Sequence, residues 1–397
     1  MYFRPEIFDN ILRTAFLLLI MVLFISISCI VVRTDSFSLY VLPYVLVPII
    51  ICTFYDMRTA NFVHWITVLQ IGFIAPNGFE FVFLNYFAGF VGIINAKSLY
   101  RRGSLFRSVT MVILTYCVVY SAMVLMQGIH IRQIEWSYYV LFFINGALIF
   151  VCYPSIFIFE KTFGFISNIT LMELSDTNHP LLRQLSEAAP GTFQHSLQVA
   201  NIAEEVIRKI GGNPLLVRTG ALYHDIGKIN RPEYFIENQR GVSPHENITP
   251  EESAQIIIEH VIDGIEIARK NGIPQHIINF IRTHHGSTVV RYFYHLYQQQ
   301  EGQQADSSKF TYPGPSPFSK EMVALMICDS IEAASRSLKE INQENISDLV
   351  DQIVNFQAQE NQYNDASITY RDINIAKQII KKRLMNVYHV RIEYPKD

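Results

Sequence analysis

Charge is scarce in this chain, and it is unevenly spread. Only 17% of the 397 residues are Asp, Glu, Lys or Arg, against about 25% in a soluble globular protein. Residues 1–160 hold 9 Lys/Arg and 7 Asp/Glu, so 16 of the 67 charges; the other 51 lie downstream. That split excludes a single soluble domain and an intrinsically disordered chain. A net charge of −3 gives no support for binding a nucleic-acid polymer through bulk positive charge. Cysteine is sparse too. Cys29, Cys52, Cys117 and Cys152 sit in apolar runs, Cys328 lies in a helical pattern, and no CxxC occurs. This excludes a disulfide-stapled secreted domain and a Cys-ligated structural zinc site, and leaves the cysteines as apolar packing residues. There is also no useful strand alternation, no internal repeat and no P-loop spacing. The patterns that remain are helical, so the expected fold class is all-α.

The oily part divides into six apolar segments at about 12–32, 39–54, 61–75, 79–96, 106–126 and 136–159. A bilayer core of about 30 Å takes roughly 20 helical residues. The first, fifth and sixth segments reach that length, whereas Pro43, Pro48 and Pro76 interrupt or bound the shorter middle ones. Residues 1–160 therefore read as a transmembrane bundle of about six spans. With the N-terminus inside, the inner loops carry Arg4, Arg13, Arg58, Lys97, Arg101, Arg102, Arg107 and Lys161, and the outer loops only Arg33 and Arg132. Eight against two is a positive-inside bias. An even span count then places both ends in the cytoplasm, on a multi-pass protein of the cell membrane. Trp65, Trp136, Tyr138 and Tyr139 lie near segment ends as interfacial anchors. No charged residue sits in the middle of a long span, which disfavours a transporter, and His64 is the one intramembrane ionisable candidate.

Beyond residue 160 the charge becomes ordinary. Residues 161–180 read as a linker helix and 181–397 as a cytoplasmic domain. Its punctuation is explicit. Gly211-Gly212 closes a helix over 193–210, Thr249-Pro250-Glu251-Glu252 is a capping box opening a helix to Gly272, and Gly286 follows a helix over 274–285. Residues 298–320, rich in Gln, Gly, Pro and Ser, read as one long loop.

Ten of the twelve histidines fall beyond residue 160. His195 shares a helical face with Val199, Ile202 and Val206. His224-Asp225 ends a helix, His260 shares a face with Ile256, and His284-His285 ends the next helix. Asp329 shares a face with Met322, Leu325, Met326 and Ala333. A lone inward histidine is ordinarily a packed core residue. Inward His or Asp on five successive helices point instead to metal, and imidazole with carboxylate suits Fe, Mn or Zn. Seven side chains exceed what one ion needs if it is also to hold substrate. With Asp225 bridging, they divide into His195, His224, Asp225 and Asp329 for one ion and Asp225, His260, His284 and His285 for the other. Such a pair can activate a water and clamp an in-line phosphoryl displacement. His245 and His295 have no partner in this pattern.

The order His195…His224-Asp225…Asp329 resembles the HD phosphohydrolase superfamily. Further runs match one branch of it. They are Asn178-His179-Pro180-Leu181-Leu182, Ala189-Pro190-Gly191-Thr192 with His195-Ser196, Tyr223-His224-Asp225-Ile226-Gly227-Lys228 and Phe235-Ile236-Glu237-Asn238-Gln239. Downstream come His284-His285-Gly286, Tyr312-Pro313-Gly314-Pro315, Ala333-Ala334-Ser335-Arg336-Ser337-Leu338 and Arg391-Ile392-Glu393-Tyr394-Pro395. Together they resemble the seven-transmembrane receptors with an intracellular HD domain, whose characterised members are cyclic di-AMP phosphodiesterases. The membrane part resembles the same family from Phe3-Arg4-Pro5 onward. The resemblance implies an all-helical HD domain, a di-iron or di-manganese site at the seven residues, and hydrolysis of cyclic di-AMP to linear pApA by a metal-activated hydroxide.

Members of that family usually carry an N-terminal span, a large extracellular domain and a further span ahead of the part that residues 1–160 resemble; this chain is expected to lack all three. Lys228 and Arg336 are assigned to catalysis as phosphate-holding groups. Tyr312, among the aromatics Tyr292, Phe293 and Tyr294, is assigned to stacking on adenine. The partners expected are cyclic di-AMP and the lipid bilayer, with a homodimer left open. The rival readings are a phosphohydrolase for another nucleotide and a nucleotide-binding receptor without turnover. The cyclic di-GMP branch carries Gly-Tyr-Pro after its double-His region, where this chain has Gly286-Ser287-Thr288-Val289.

Overall fold

The computed structural model describes residues 11–34, 37–96, 103–128, 135–239, 241–301, 306–338, 340 and 342–389. Among the loop charges, Arg4, Lys97, Arg101, Arg102 and Arg132 lie outside the described residues, as do Phe3–Pro5 and Arg391–Pro395. The chain divides into two compact units, Met1–Thr170 and Leu171–Asp397. Its elements among the described residues are helices, and the only β pairing there is an isolated bridge between Val289 and Thr311.

In the first unit, α1 (Ile11–Thr34) is apolar on every side. Phe16 and Ile20 turn inward, while Leu18, Leu19, Val22, Leu23 and Ile30 face outward, as they do when the surroundings are also apolar. The second segment breaks. A 3₁₀ turn at Leu39–Val41 precedes α2 (Leu46–Phe54), and between them Pro43 has no N–H to continue a helix. Asp56 caps α3 (Met57–Gly72) by accepting from Arg58 N and Thr59 N at 2.9 and 3.2 Å. Then follow α4 (Gly78–Ala96), α5 (Ser104–Met126), α6 (Trp136–Leu148) and α7 (Cys152–Phe163), the last two joined by a 3₁₀ turn.

Of the six apolar segments, four form helices long and apolar enough to cross a membrane: α1, α4, α5 and the run Trp136–Phe163. The fourth segment, expected to be short, reaches 19 residues. The second and third do not, because Pro43 breaks one and Gly72 ends the other after 16 residues. Phe16 centres the core, with the rings of Phe54, Phe159, Phe163 and Phe165 edge-on at 5.1–5.6 Å. His64 is buried in α3, where Nε2 contacts the Asn85 carbonyl at 2.9 Å, and Tyr116 OH donates to Asn85 Oδ1 at 2.7 Å.

The single helix expected over 161–180 does not form. Gly164, at φ 66°, turns left-handed and stops α7. A short α8 (Asn168–Leu174) follows, and Pro180 opens α9 (Pro180–Ala188). The division between the two units falls inside α8.

In the second unit, α10 (Pro190–Ile210) is the central helix, packed against α11 (Pro214–Tyr223), α15 (Lys320–Ser335) and α17 (Tyr370–His389). Gly211 at φ 84° ends α10 where expected. The capping box at Thr249 and Glu252 opens α12 (Pro250–Lys270), and α13 (Gln275–Thr283) follows. The stretch expected as a loop from residue 298 instead begins as helix, α14 (Arg291–Glu301). Its apolar face, with Phe293, Tyr294 and Tyr297, packs on Ala254 and Phe310 and carries the helix through the glutamines. The remaining helix is α16 (Gln343–Gln359).

Candidate metal centre

All seven sequence-predicted ligands meet in the second unit. His195 comes from the start of α10, and His224-Asp225 from the turn that ends α11. His260 lies on α12, His284 and His285 follow the end of α13, and Asp329 lies on α15. Tyr223 holds the α11 end in place by donating its hydroxyl to the Leu174 carbonyl at 2.9 Å. Gly227 lets the next turn pack directly on α12, since a Cβ there would collide with the His260 carbonyl.

Asp225 is the geometric centre. Its Oδ2 lies 3.2 Å from His224 Nε2 and 3.8 Å from His195 Nε2. Its Oδ1 lies 3.4 Å from His260 Nε2 and 3.7 Å from His284 Nε2. Asp329 Oδ1 closes the first side at 2.8 Å from His195 and 3.4 Å from His224. Three of the imidazoles are fixed from behind. Nδ1 of His224, His260 and His284 points at the carbonyls of Ala221, Ile257 and Ile281, at 2.7, 2.5 and 2.8 Å. A carbonyl only accepts, so each of these Nδ1 atoms carries a proton and Nε2 is the ring nitrogen turned to the centre. His285 is held differently, by its ring, which stacks on Tyr312 at 4.2 Å and 24°.

The donor set fits a metal. Two buried atoms at the centre, His224 Nε2 and Asp225 Oδ1, have no hydrogen-bond partner among the described residues. Buried polar atoms left this way are costly. Ligand atoms lie within 4.8 Å of one another in His195–His224–Asp329, in His260–His284–His285 and in His224–Asp225–His284.

The electrostatics are lopsided. Burial opposes charge on His195 and His224. The carboxylates of Asp329 and Glu332 outweigh it at His195, and those of Asp225 and Asp329 at His224, pushing them up to about 9 and about 10. Burial would also raise Asp225 and Asp329, yet His224 with Lys228, and His195 with His224, hold them well below the usual carboxylate range. On the other side burial prevails. His260 and His284 are lowered, and His285 falls to about 3 under burial and its neighbour His260.

A cleft of about 500 Å³ opens over the first side. His195, Asp225, His285 and Asp329 line it, together with Lys228, Glu237 and Arg336. Lys228 Nζ sits between Asp225 Oδ2 at 2.8 Å and Glu237 Oε1 at 2.9 Å. Arg336 donates through Nε and Nη2 to Glu332 Oε1 at 3.1 and 2.7 Å. Tyr312 is not a lining residue; it is buried behind His285. His245 and His295 stand apart, contacting the Tyr234 carbonyl and Gln299.

Two carboxylates had no role from sequence. Glu237 bonds Lys228 and accepts from Thr192 Oγ1 at 2.9 Å, while Asn238 Oδ1 caps α10 through Gly191 N and Thr192 N at 2.9 and 3.2 Å. Glu332 contacts His195 Nδ1. Its position one turn after Asp329 on the same apolar face was the available signal.

Comparison with known proteins bears on both units. Residues 1–167 match the family model of the 7TM receptor with intracellular HD hydrolase, and residues 192–334 match that of the HD domain. A crystal structure of the Listeria monocytogenes phosphodiesterase PgpH HD domain superposes with a TM-score of 0.51 at 42% identity. It covers 53% of this chain and all of that one. The chain belongs to the 7TM receptors with intracellular HD hydrolase. A second crystal structure of that same HD domain, in complex with cyclic-di-AMP, matches with a TM-score of 0.52, again at 42% identity, over 54% of this chain and all of that one. Among the curated relatives, the cyclic-di-AMP phosphodiesterase PgpH of L. monocytogenes is 42% identical over 60% of this chain. The B. subtilis PgpH is 36% identical over 77%. The chain spans 33% and 43% of the lengths of these two proteins.

Proposed function

We propose that this chain is a membrane-anchored, metal-dependent phosphodiesterase that hydrolyses cyclic di-AMP to linear pApA. The observation that carries the reading is the convergence of His195, His224, Asp225, His260, His284, His285 and Asp329 beside a cleft that also contains Lys228 and Arg336. Two divalent ions, Fe or Mn, would be held by His195, His224, Asp225 and Asp329, and by Asp225, His260, His284 and His285. Bound there, they supply Lewis acidity and a water acidic enough to give up its proton at neutral pH.

The chain's own groups do the rest. The anchored Nδ1 atoms keep the imidazoles pointed inward without reorganisation. Lys228 is nearly buried and stays charged against Asp225 and Glu237, so it offers its third N–H to a phosphate oxygen at the cleft wall. Arg336 spends part of its guanidinium on Glu332 and turns the remainder to the second phosphate. Tyr312 acts through His285, whose ring it holds, rather than through adenine. The helices of the first unit anchor the enzyme in the cell membrane with both termini cytoplasmic, which the basic residues Arg13, Arg58, Arg107 and Lys161 support.

The test is direct. The full chain, purified in detergent and loaded with Mn²⁺, is incubated with cyclic di-AMP and with cyclic di-GMP, and the products are separated by chromatography. Linear pApA from the first and little product from the second are expected. No linear product from cyclic di-AMP would overturn the proposal.

A further inference from the structure

The metal-facing histidines are not anchored alike. Nδ1 of His224, His260 and His284 meets a neutral carbonyl three residues back in its own helix. Nδ1 of His195 meets the carboxylate of Glu332, on a different helix. Glu332 is buried, 8% exposed, and its second oxygen is held by Arg336 from one turn further along. One stretch of α15 and its C-terminal cap thus carries Asp329, Glu332 and Arg336: a ligand, an anchor for another ligand, and a clamp on that anchor.

The two sets of ligands differ in charge as a result. His195, His224, Asp225 and Asp329 bring two carboxylates, with Glu332 directly behind an imidazole. His260, His284 and His285 bring none, and share only Asp225. A carboxylate on Nδ1 makes Nε2 a stronger donor to a cation than a carbonyl does. The same carboxylate adds its own attraction at short range in a dry site.

We propose that Glu332, clamped by Arg336, is a positioning residue that fixes His195 and makes the His195-side pocket the tighter of two metal positions. This rests on the metal assignment proposed above. The ions load in order, the His195 side first, and the His260 side stays the exchangeable one.

The test is a metal titration. The full chain in detergent is stripped with a chelator, and Mn²⁺ is returned in competition with a chromophoric chelator. The wild type is expected to show two classes of site. In Glu332→Gln, which keeps the size and loses the charge, the tight class should weaken roughly 10- to 100-fold while the weak class holds. Arg336→Gln frees Glu332 without removing it, and should weaken the same class by less. Circular dichroism of the stripped proteins controls for folding. If Glu332→Gln does not fold, Arg336→Gln decides. A tight class unchanged in the folded variants, equal weakening of both classes, or one uniform class in the wild type would each overturn the proposal. The titration needs no substrate, so failure to hydrolyse cyclic di-AMP would sink the functional reading and leave this result to stand by itself.

Discussion

Asp225 touches both sides of the cluster, and its loss should be felt on both. Asp225→Ala is expected to abolish detectable turnover of cyclic di-AMP and to lower bound metal together, by more than the roughly 100-fold that removal of an outer partner costs. Metal content by mass spectrometry and product by chromatography check it; full turnover with both ions retained would refute the role. Lys228 makes a second case. It separates two carboxylates that face each other across its ammonium. Lys228→Met should destabilise the protein by on the order of 3 kcal/mol, because Glu237 is left buried without its counter-charge and Asp225 loses one of its own; a thermal melt of the stripped protein reads this. The seven converging His and Asp side chains were legible in the sequence because, on apolar helix faces, they break the pattern around them. Glu237 was not, since its partners Lys228 and Thr192 lie on other elements, and Glu332 showed only its place one turn after Asp329, not its contact with His195 on another helix. Tyr312 looked like a stacking surface for substrate because an aromatic carries no mark of which face is already covered.

At the scale of the element, caps and breakers were legible and continuity was not. The Thr249–Glu252 box forms as expected, and Thr249→Ala should cost about 1 kcal/mol, seen as a lower melting temperature. Gly164 does not stand out as a stop in the sequence because the apolar and polar pattern runs on across it; its positive φ ends α7 all the same. Helix α14 outruns its expected end because Phe293, Tyr294 and Tyr297 find a surface to cover. Gly227 is the sharpest case. Gly227→Ala must push the turn off the α12 backbone, with backbone atoms rather than a flexible side chain in the way. A loss of about 1–3 kcal/mol is expected, along with weaker metal binding, since the same turn carries His224 and Asp225. An unchanged melting temperature and unchanged metal content would show that the packing tolerates a methyl.

For the whole molecule, the two sides of the cluster set a pH dependence. Without metal, His195 and His224 keep their protons up to about 9 and about 10, so at pH 7 an incoming ion must displace them. His260, His284 and His285 are neutral at that pH and release none. Metal uptake should therefore release protons, and affinity at the His195 side should climb as pH rises from 6 toward 9, up to about tenfold per unit for each proton displaced. The stripped protein should behave in the opposite sense. A histidine raised on folding stabilises fully below its unfolded value of about 6.5, and that contribution fades as pH climbs through 9–10. Melting of the chelator-treated chain across pH 6–10 tests the sign.

The sequence alone determined that this chain is helical and half membrane-like, because charge and apolar runs are properties of residues taken singly or at one helical period. It also singled out the His and Asp side chains that the fold brings together, since an inward imidazole or carboxylate is conspicuous wherever it lies. Only the tertiary structure decided what stands behind them. Glu332 on His195 joins α15 to α10, while Glu237 on Lys228 and Tyr312 on His285 join turns and loops that only the folded packing brings together.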